Sequence, residues 1–186
     1  MGYFNKIDSW LAALKAGEVV IAPAEGMYGY CCNPFHEGAL AKLMALKQRS
    51  PNKGLIVLIH DISHLASLCP TPLPESCQSA LQTHWGASTN PQPTTLILPA
   101  LPKLPKLLTG EHTTLAIRKP HSPYMREYLE AWGGPLVSTS CNLAGEPPAT
   151  LANQLPVSIP ALALAEALGG NPSRIYDPIK GVWLRH

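Results

Sequence analysis

The feature that most constrains the fold of this chain is the apolar run GLIVLIH at residues 54–60. A run of this length without interrupting charges is typical of a strand that is covered on both faces of its sheet. Further strand patterns recur along the chain: EVVIAP (18–23), TTLILP (94–99), TLAIR (114–118), PLVS (135–138), RIYD (174–177) and GVWLRH (181–186). Helical patterns lie between them, near 8–17, 37–48, 61–68, 74–85 and 122–132. This interleaving without a repeat predicts an α/β fold, a mixed twisted sheet flanked by helices.

Local signals refine the predicted elements. Asp8 or Ser9 is expected to cap the first helix, and Gly17 is expected to end it. The segment AEGMYGYCCNPFH, at 24–36, is predicted to be a loop. The segment PALALAEALGG, at 160–170, fits either a helix or a strand by its pattern.

Length and composition indicate one globular domain spanning residues 1–186. The chain is 46% hydrophobic and 14% charged, which is too apolar for a disordered protein. Its 20 prolines are about twice the average usage of roughly 5%. They gather in segments that are therefore predicted to be connections, such as 70–74 and 91–105.

Other features argue against a metalloprotein, a secreted protein and a membrane protein. The five cysteines are odd in number and form no CxxC pair, which favours reduced thiols. His60 and His64 lie four residues apart without an evident third ligand, so no protein metal site is expected. The chain shows no signal-peptide pattern and no apolar run near the ~20 residues that cross a bilayer. A cytoplasmic location without membrane association is therefore predicted.

A cluster of cations precedes the apolar run. The stretch KQRSPNKG, at 47–54, contributes Lys47, Arg49 and Lys53, and no acidic residue lies between Glu37 and Asp61. A solvated basic face explains the charge pattern equally well, and the helix dipole accounts in part for cations at a helix C-terminus. Lys53 lies beyond that helix, so the cluster also suggests an anion site. A net charge of +2 permits contact with nucleic acid but is weaker than that of a dedicated binder.

A second polar cluster, STSCN at 138–142, follows the strand PLVS. Taken alone, it is also explained by an ordinary Ser/Thr-rich turn. Arg118, Ser173 and Arg185 also lie at or near the ends of predicted strands. Because ligands favour strand ends in such sheets, these groups together suggest one shared anionic site. Neither GxGxxG nor GxxxxGK[ST] is present, so a nucleotide would bind by other means.

The order of these segments resembles the YrdC/TsaC family of threonylcarbamoyl-AMP synthases. The resemblance runs from about residue 8 to the end through PAEGMYG, LKQRSPNKGLIVLI, TLAIRKPHSP, PLVSTSCNLAGEPP, GGNPSRIYD and a closing LR. It implies a YrdC-like twisted α/β fold with a positively charged central cavity. It also implies a nucleotidyltransferase that forms threonylcarbamoyl-AMP and pyrophosphate from L-threonine, bicarbonate and ATP. Partner tRNA-modification proteins would then transfer the group to adenosine beside the anticodon.

The resemblance also implies roles for individual residues. It assigns catalysis to Lys47, Arg49 and Lys53, with Lys47 at the bicarbonate or the departing pyrophosphate. It assigns ATP binding to Arg49, Lys53, Thr114, Ser140, Asn142 and Arg185. It assigns threonine binding to Arg118, Ser138 and Ser173. Mg2+ is expected to arrive with the ATP phosphates, because this ion usually takes few protein ligands.

One departure from the family pattern concerns the amino-acid substrate. The family usually has Pro-Thr-Glu where this chain has Pro23, Ala24 and Glu25, so one hydroxyl expected to contact threonine is absent. Two alternatives follow: a YrdC-like paralogue with altered or lost activity, and a non-catalytic module that binds RNA, such as tRNA, in the cavity. The intact basic cluster and STSCN argue against the first, and the scarcity of aromatic residues argues against the second.

Overall fold

The computed structural model describes residues 7–48, 50, 52–86, 93–143 and 145–186. Its eight strands are β1 (Val20–Pro23), β2 (Tyr28–Cys32), β3 (Ile56–Leu58), β4 (Thr94–Pro99), β5 (Thr114–Arg118), β6 (Leu136–Ser140), β7 (Arg174–Asp177) and β8 (Val182–Arg185). The α-helices are α1 (Ile7–Lys15), α2 (Glu37–Lys47), α3 (Glu75–Leu81), α4 (Lys106–Thr109) and α5 (Pro123–Trp132). Two 3-10 helices (Ile62–Ser67 and Ala152–Gln154) and a π-helical turn (Gln82–Gly86) complete the regular structure.

The eight strands form one mixed sheet in the order β1-β2-β6-β3-β5-β4-β7-β8. The β3–β5 and β4–β7 pairs are parallel, and the other pairs are antiparallel. The predicted mixed sheet flanked by helices is therefore confirmed. Among the described residues no helix exceeds 11 residues, and none is suited to crossing a bilayer.

Two local predictions were wrong. The predicted loop at 24–36 contains β2, because YGYCC pairs with β1 on one side and with β6 on the other. The short helix α4 begins directly after the proline-rich stretch that ends at Pro105, so it lies outside the predicted connection. The first helix already includes Asp8, so Asp8 and Ser9 lie in its first turn rather than at its cap. The ambiguous 160–170 segment is neither helix nor strand and makes one bridge, from Ala161 to Ile21.

The two faces of the sheet are covered differently. Helices α2, α3 and α4 contribute to an apolar core on one face, together with residues such as Leu96, Leu115 and Ile117. Helices α1 and α5 form a second core on the other face, where Trp10 packs edge to face on Tyr128. Among the described residues, the strands contributing to this second core are β1, β2, β3 and β6. The β5-β4-β7-β8 end of that face is therefore free to form a cavity.

Candidate active site

A cavity of about 290 Å3 lies on the sheet face that α1 and α5 leave partly uncovered. Side chains alternate between the two faces of a strand, so Ala116 and Arg118 of β5 point to the cavity while Leu115 and Ile117 enter the opposite core. The cavity brings together five of the residues singled out in the sequence: Arg118, Ser138, Ser140, Ser173 and Arg185. Its described lining includes two arginines and no acidic side chain.

Arg118 is held at the cavity by Glu25, in the short loop between β1 and β2. The Arg118 side chain is 8% exposed, and its Nη1 lies 3.5 Å from Oε2 of Glu25. Glu25 is fixed in turn because its Oε1 accepts a hydrogen bond from the backbone N–H of His121 (3.2 Å). The buried Nε of Arg118 makes no hydrogen bond to the described residues. Arg118 is thus oriented by one carboxylate while it lines the cavity.

Arg185 reaches the same cavity because of an irregularity in strand β8. Trp183 pairs with Tyr176, but the next pair joins Arg185 to Ile175, so Leu184 is an extra residue on β8. Such a bulge changes the face to which the following side chain points. It places Arg185 with Ile175 on the cavity side, whereas Trp183 packs on Tyr176 and His84. Burial and the nearby positive charge of Arg118 both lower the pKa of Arg185.

The hydroxyl of Ser173 lies at the centre of a small polar network. Nε of Arg185 donates to the carbonyl oxygen of Ser173 (2.6 Å), and Nη2 donates to its Oγ (3.1 Å). The same Oγ lies 2.9 Å from Oγ1 of Thr95, a fully buried residue of β4. Ser173 is 3% exposed yet lines the cavity. Contacts from β4 and β8 therefore fix the hydroxyl of Ser173, which directly precedes β7, at the cavity wall.

Lys47 is buried rather than solvated. It ends α2, because Gln48 adopts a left-handed conformation (φ 47°) that stops the helix. Its ammonium donates to the carbonyl and Oγ of Ser140 (2.6 and 3.2 Å) and to the carbonyl (2.8 Å) and Oδ1 of Asn142. Lys47 thereby links the basic cluster to the STSCN segment. Its charge also fixes the turn that follows β6.

Lys53 and Thr114 line an adjoining cavity of about 240 Å3, which shares Gly54 and Ala116 with the first. Lys53 is exposed, and its backbone forms a bridge to Gly110. The two cavities adjoin along their shared residues, and the surface from Arg118 to Lys53 is called the polar face below, although apolar side chains such as Ile97 also line it. Arg49, which was predicted to contact ATP, lies outside the described residues.

The loop between β1 and β2 is closed over by the segment that precedes β7. A Cβ at Gly26 would lie 1.8 Å from the carbonyl oxygen of Asn171, so only glycine permits this approach. Tyr124 and Tyr128 of α5 donate their hydroxyls to the carbonyls of Ala24 (3.1 Å) and Pro23 (3.0 Å). Ala24 itself lines the cavity. The segment before β7 and helix α5 therefore both hold this loop in place.

Sequence reasoning missed Glu25, Thr95 and Asn171 as parts of the site. Thr95 could have been noticed, because the alternation of TTLILP places it on the face opposite to Leu96 and Leu98. Glu25 was noted only as the residue that matches the glutamate of the family's Pro-Thr-Glu, without a role of its own. Asn171 contributes through its backbone, for which the sequence carries no signal.

The described residues contain no group of three side chains able to hold a metal ion. All five cysteines are free and buried. Burial raises the pKa of Cys31 to about 12 and also raises the pKa of Cys141, which adjoins Ser140. Neither thiol is therefore an activated nucleophile.

Comparison with known proteins identifies related sequences over almost the whole chain. The Sua5/YciO/YrdC family, described as "Telomere recombination", matches residues 12–180. A protein named threonylcarbamoyl-AMP synthase from Stenotrophomonas maltophilia is 40% identical over 185 residues, covering 96% of this chain and 97% of the relative. A protein of the same name from Chromohalobacter salexigens is also 40% identical over 185 residues, covering 97% of both.

Solved structures share the fold. P. abyssi Sua5 complexed with L-threonine has a TM-score of 0.81 and 23% identity, covering 95% of this chain and 52% of that protein. This chain therefore spans about half the length of that Sua5. E. coli YciO has a TM-score of 0.78 and 21% identity, covering 97% of this chain and 88% of that protein. Together with the full-length sequence relatives, these findings confirm the predicted relationship: the chain belongs to the Sua5/YciO/YrdC family.

Proposed function

We propose that this protein is a threonylcarbamoyl-AMP synthase, a nucleotidyltransferase that uses L-threonine, bicarbonate and ATP. The observation that carries the proposal is the cavity that presents Arg118 and Arg185 beside Ser138, Ser140 and Ser173 without an acidic side chain in its described lining. Such a lining suits carboxylate and phosphate groups. The name shared by the full-length relatives supports the same activity.

The amino-acid end of the site is assigned to Arg118, Ser138 and Ser173. Arg118 would bind the α-carboxylate of threonine, because its guanidinium is oriented by Glu25 and the residue lines the cavity. Ser138 and Ser173 would complete the frame from opposite walls. The complex of P. abyssi Sua5 with L-threonine supports an amino-acid site in this fold.

The ATP end is assigned to the adjoining polar face. Lys53 and Arg49 would neutralise the phosphates, and Thr114 would contact the nucleotide. Ser140 and Asn142 would do so from the turn that Lys47 holds. Arg185 would contribute its remaining donors to the nucleotide. Mg2+ bound through the ATP phosphates would offset their charge, as is usual for this ion.

The chemistry requires positioning more than reactive side chains. The amine of threonine attacks bicarbonate, which loses water to give a carbamate. The carbamate oxygen then attacks the α-phosphorus, the bond to the β-phosphate oxygen breaks, and pyrophosphate leaves. Several anions are crowded together in this step, so fixed cations and oriented hydroxyls supply the stabilisation. Lys47, whose ammonium is hydrogen-bonded to Ser140 and Asn142, would stabilise bicarbonate or the departing pyrophosphate through its positive charge.

The product is a reactive mixed anhydride, so a second reaction must consume it. We propose that tRNA-modification proteins transfer the threonylcarbamoyl group to adenosine beside the anticodon. Direct contact of this chain with tRNA would be strongly dependent on salt.

Pyrophosphate release from ATP and bicarbonate tests the proposal. The assay compares L-threonine with serine, glycine and no amino acid. We expect release that depends on threonine and is weaker with the other two amino acids. Release that ignores the amino acid, or no release despite ATP binding, would contradict the assignment.

A further inference from the structure

Thr95 lies behind the cavity wall: it is fully buried and touches the cavity-lining Ser173 through its hydroxyl. Strand β4 runs between β5 and β7, and Thr95 pairs with Arg118 on one side and with Ile175 on the other. Ile175 pairs in turn with Arg185. Directly paired residues point to the same face of a sheet, so Thr95 lies between the two arginines on the cavity side. Its polar group occupies a position where β4 otherwise presents apolar residues.

The hydrogen bonds around Ser173 leave two arrangements. Arg185 can only donate, so Nη2 uses one lone pair of Ser173 Oγ. In the first arrangement Ser173 donates its proton to Thr95 Oγ1, and the second lone pair of Ser173 Oγ, a hydrogen-bond acceptor, faces the cavity. In the second, Thr95 donates to Ser173 Oγ (2.9 Å), both lone pairs are used, and the proton of Ser173 is directed to the cavity.

A carboxylate accepts hydrogen bonds and does not donate them, so it selects the second arrangement. We infer that Thr95 is a positioning residue that, with Arg185, fixes the hydroxyl of Ser173 as an oriented hydrogen-bond donor to the carboxylate of the amino-acid substrate. The inference deepens the proposed function and rests on it for the identity of that amino acid. It also explains why a hydroxyl is fully buried on the face of β4 that Thr95 shares with the apolar Ile97.

Two substitutions at this position separate hydrogen bonding from packing. Thr95→Val keeps the shape and removes the donor, whereas Thr95→Ser keeps the donor and removes a methyl group. We expect Thr95→Val to raise the Kd and KM for L-threonine about threefold to tenfold, the loss expected for one hydrogen bond. The KM for ATP should stay within about twofold of the wild-type value. Thr95→Ser should restore threonine binding.

A double-mutant cycle with Ser173→Ala adds an independent test. If Thr95 acts through Ser173, Thr95→Val should cost nothing further in the Ser173→Ala background. Thr94→Val is the matched control, because Thr94 is also buried (2% exposed) and its side chain points to the opposite face. Thermal unfolding of every variant checks that each is folded, and the cycle can also be completed with Thr95→Ala.

The outcomes distinguish this inference from the proposed function. Equal losses in Thr95→Val and Thr95→Ser, a parallel rise in the KM for ATP, or additive losses in the cycle would overturn the inference. So would wild-type protein that fails to bind L-threonine in calorimetry. Binding of L-threonine is measured without ATP, so it does not depend on turnover. A protein that binds threonine yet makes no product would refute the synthase activity. The difference in threonine affinity between Thr95→Val and Thr95→Ser would still test the inference.

Discussion

The two ends of the polar face differ in how their cations are held. At the amino-acid end, Arg118 is oriented by Glu25, and Arg185 is bonded twice to Ser173. At the other end, Lys53 is exposed and lines its cavity without a side-chain hydrogen bond or ion pair to the described residues. Under the proposed assignment, the amino-acid end is therefore organised before ligand binds, whereas the phosphate end would depend on the ligand to order its cation. Buried Lys47 is likewise held by the protein itself, through its hydrogen bonds to Ser140 and Asn142.

The largest effect is expected for Lys47→Met. The substitution leaves the acceptors of Ser140 and Asn142 without their buried cation, so both the fold and the site suffer. We expect a loss of about 1.5–3 kcal/mol in the free energy of unfolding and a fall in turnover of about 100-fold. Denaturant unfolding and pyrophosphate release measure the two effects. Lys42→Met, on the same helix but in an exposed ion pair with Glu18, is the control; wild-type stability of Lys47→Met would contradict this account.

Lys53→Ala should separate activity from stability. Its side chain is exposed, so the free energy of unfolding should change by less than about 0.5 kcal/mol. Turnover should fall about 100-fold, because a cation at the phosphates is lost. Lys103→Ala removes an exposed lysine outside both cavities and should leave turnover unchanged. Near-wild-type turnover of Lys53→Ala would remove Lys53 from the site.

Glu25→Gln should affect threonine alone. The amide keeps an acceptor for the backbone N–H of His121 but no longer pairs ionically with Arg118. We expect the Kd for L-threonine to rise about tenfold, with the KM for ATP unchanged. Calorimetry and steady-state kinetics check the two values, and Glu130→Gln, in an exposed pair with Arg126, is the control. An equal change in the Kd for L-threonine and the KM for ATP would show that the pairing of Glu25 with Arg118 does not serve threonine binding alone.

Ala24→Thr restores the hydroxyl that the family usually has at the cavity wall. We expect threonine affinity to stay the same or to improve by up to about tenfold, the range for one hydrogen bond. Ala24→Val adds similar bulk without the hydroxyl and should not improve binding. A strong loss of affinity in Ala24→Thr would show that this wall contacts threonine differently.

The smallest effect concerns pH. Burial lowers the pKa of His64, and the neighbouring His60 lowers it further while Asp61 opposes the shift. Burial and Arg174 lower the pKa of His84. Both groups bind protons more weakly when folded, so stability should be constant above about pH 7 and fall as pH drops through the ordinary histidine value of 6.5. Thermal unfolding from about pH 8 to about pH 5 tests this, and His64→Gln should flatten the decline, whereas the exposed His112→Gln should not.

Much of the fold was predictable because the sheet has clean local patterns. The bounds of β4 and β5 matched the prediction, since alternating or apolar runs there end at proline and arginine. The apolar run at 54–60 gave a shorter strand, because pairing with β5 and β6 stops at Leu58. Strand β2 was missed because its pairing partners are what make YGYCC a strand.

The site was predictable only where it depends on strand ends. Arg118, Ser138, Ser173 and Arg185 do meet in one cavity, as their positions at strand ends suggested. The partners of these residues depend on the order of strands, which brings Thr95 between β5 and β7. The bulge that turns Arg185 into the cavity and the burial of Lys47 likewise arise from tertiary packing.

The most direct test of the central claim follows carbon-13-labelled bicarbonate by mass spectrometry in a reaction with ATP and L-threonine. The account predicts one product that contains threonine, AMP and the labelled carbon, formed together with pyrophosphate. The same product should be absent when any one substrate is left out. Unlabelled product, or pyrophosphate released without a threonine adduct, would contradict the claim that the polar face joins these three substrates.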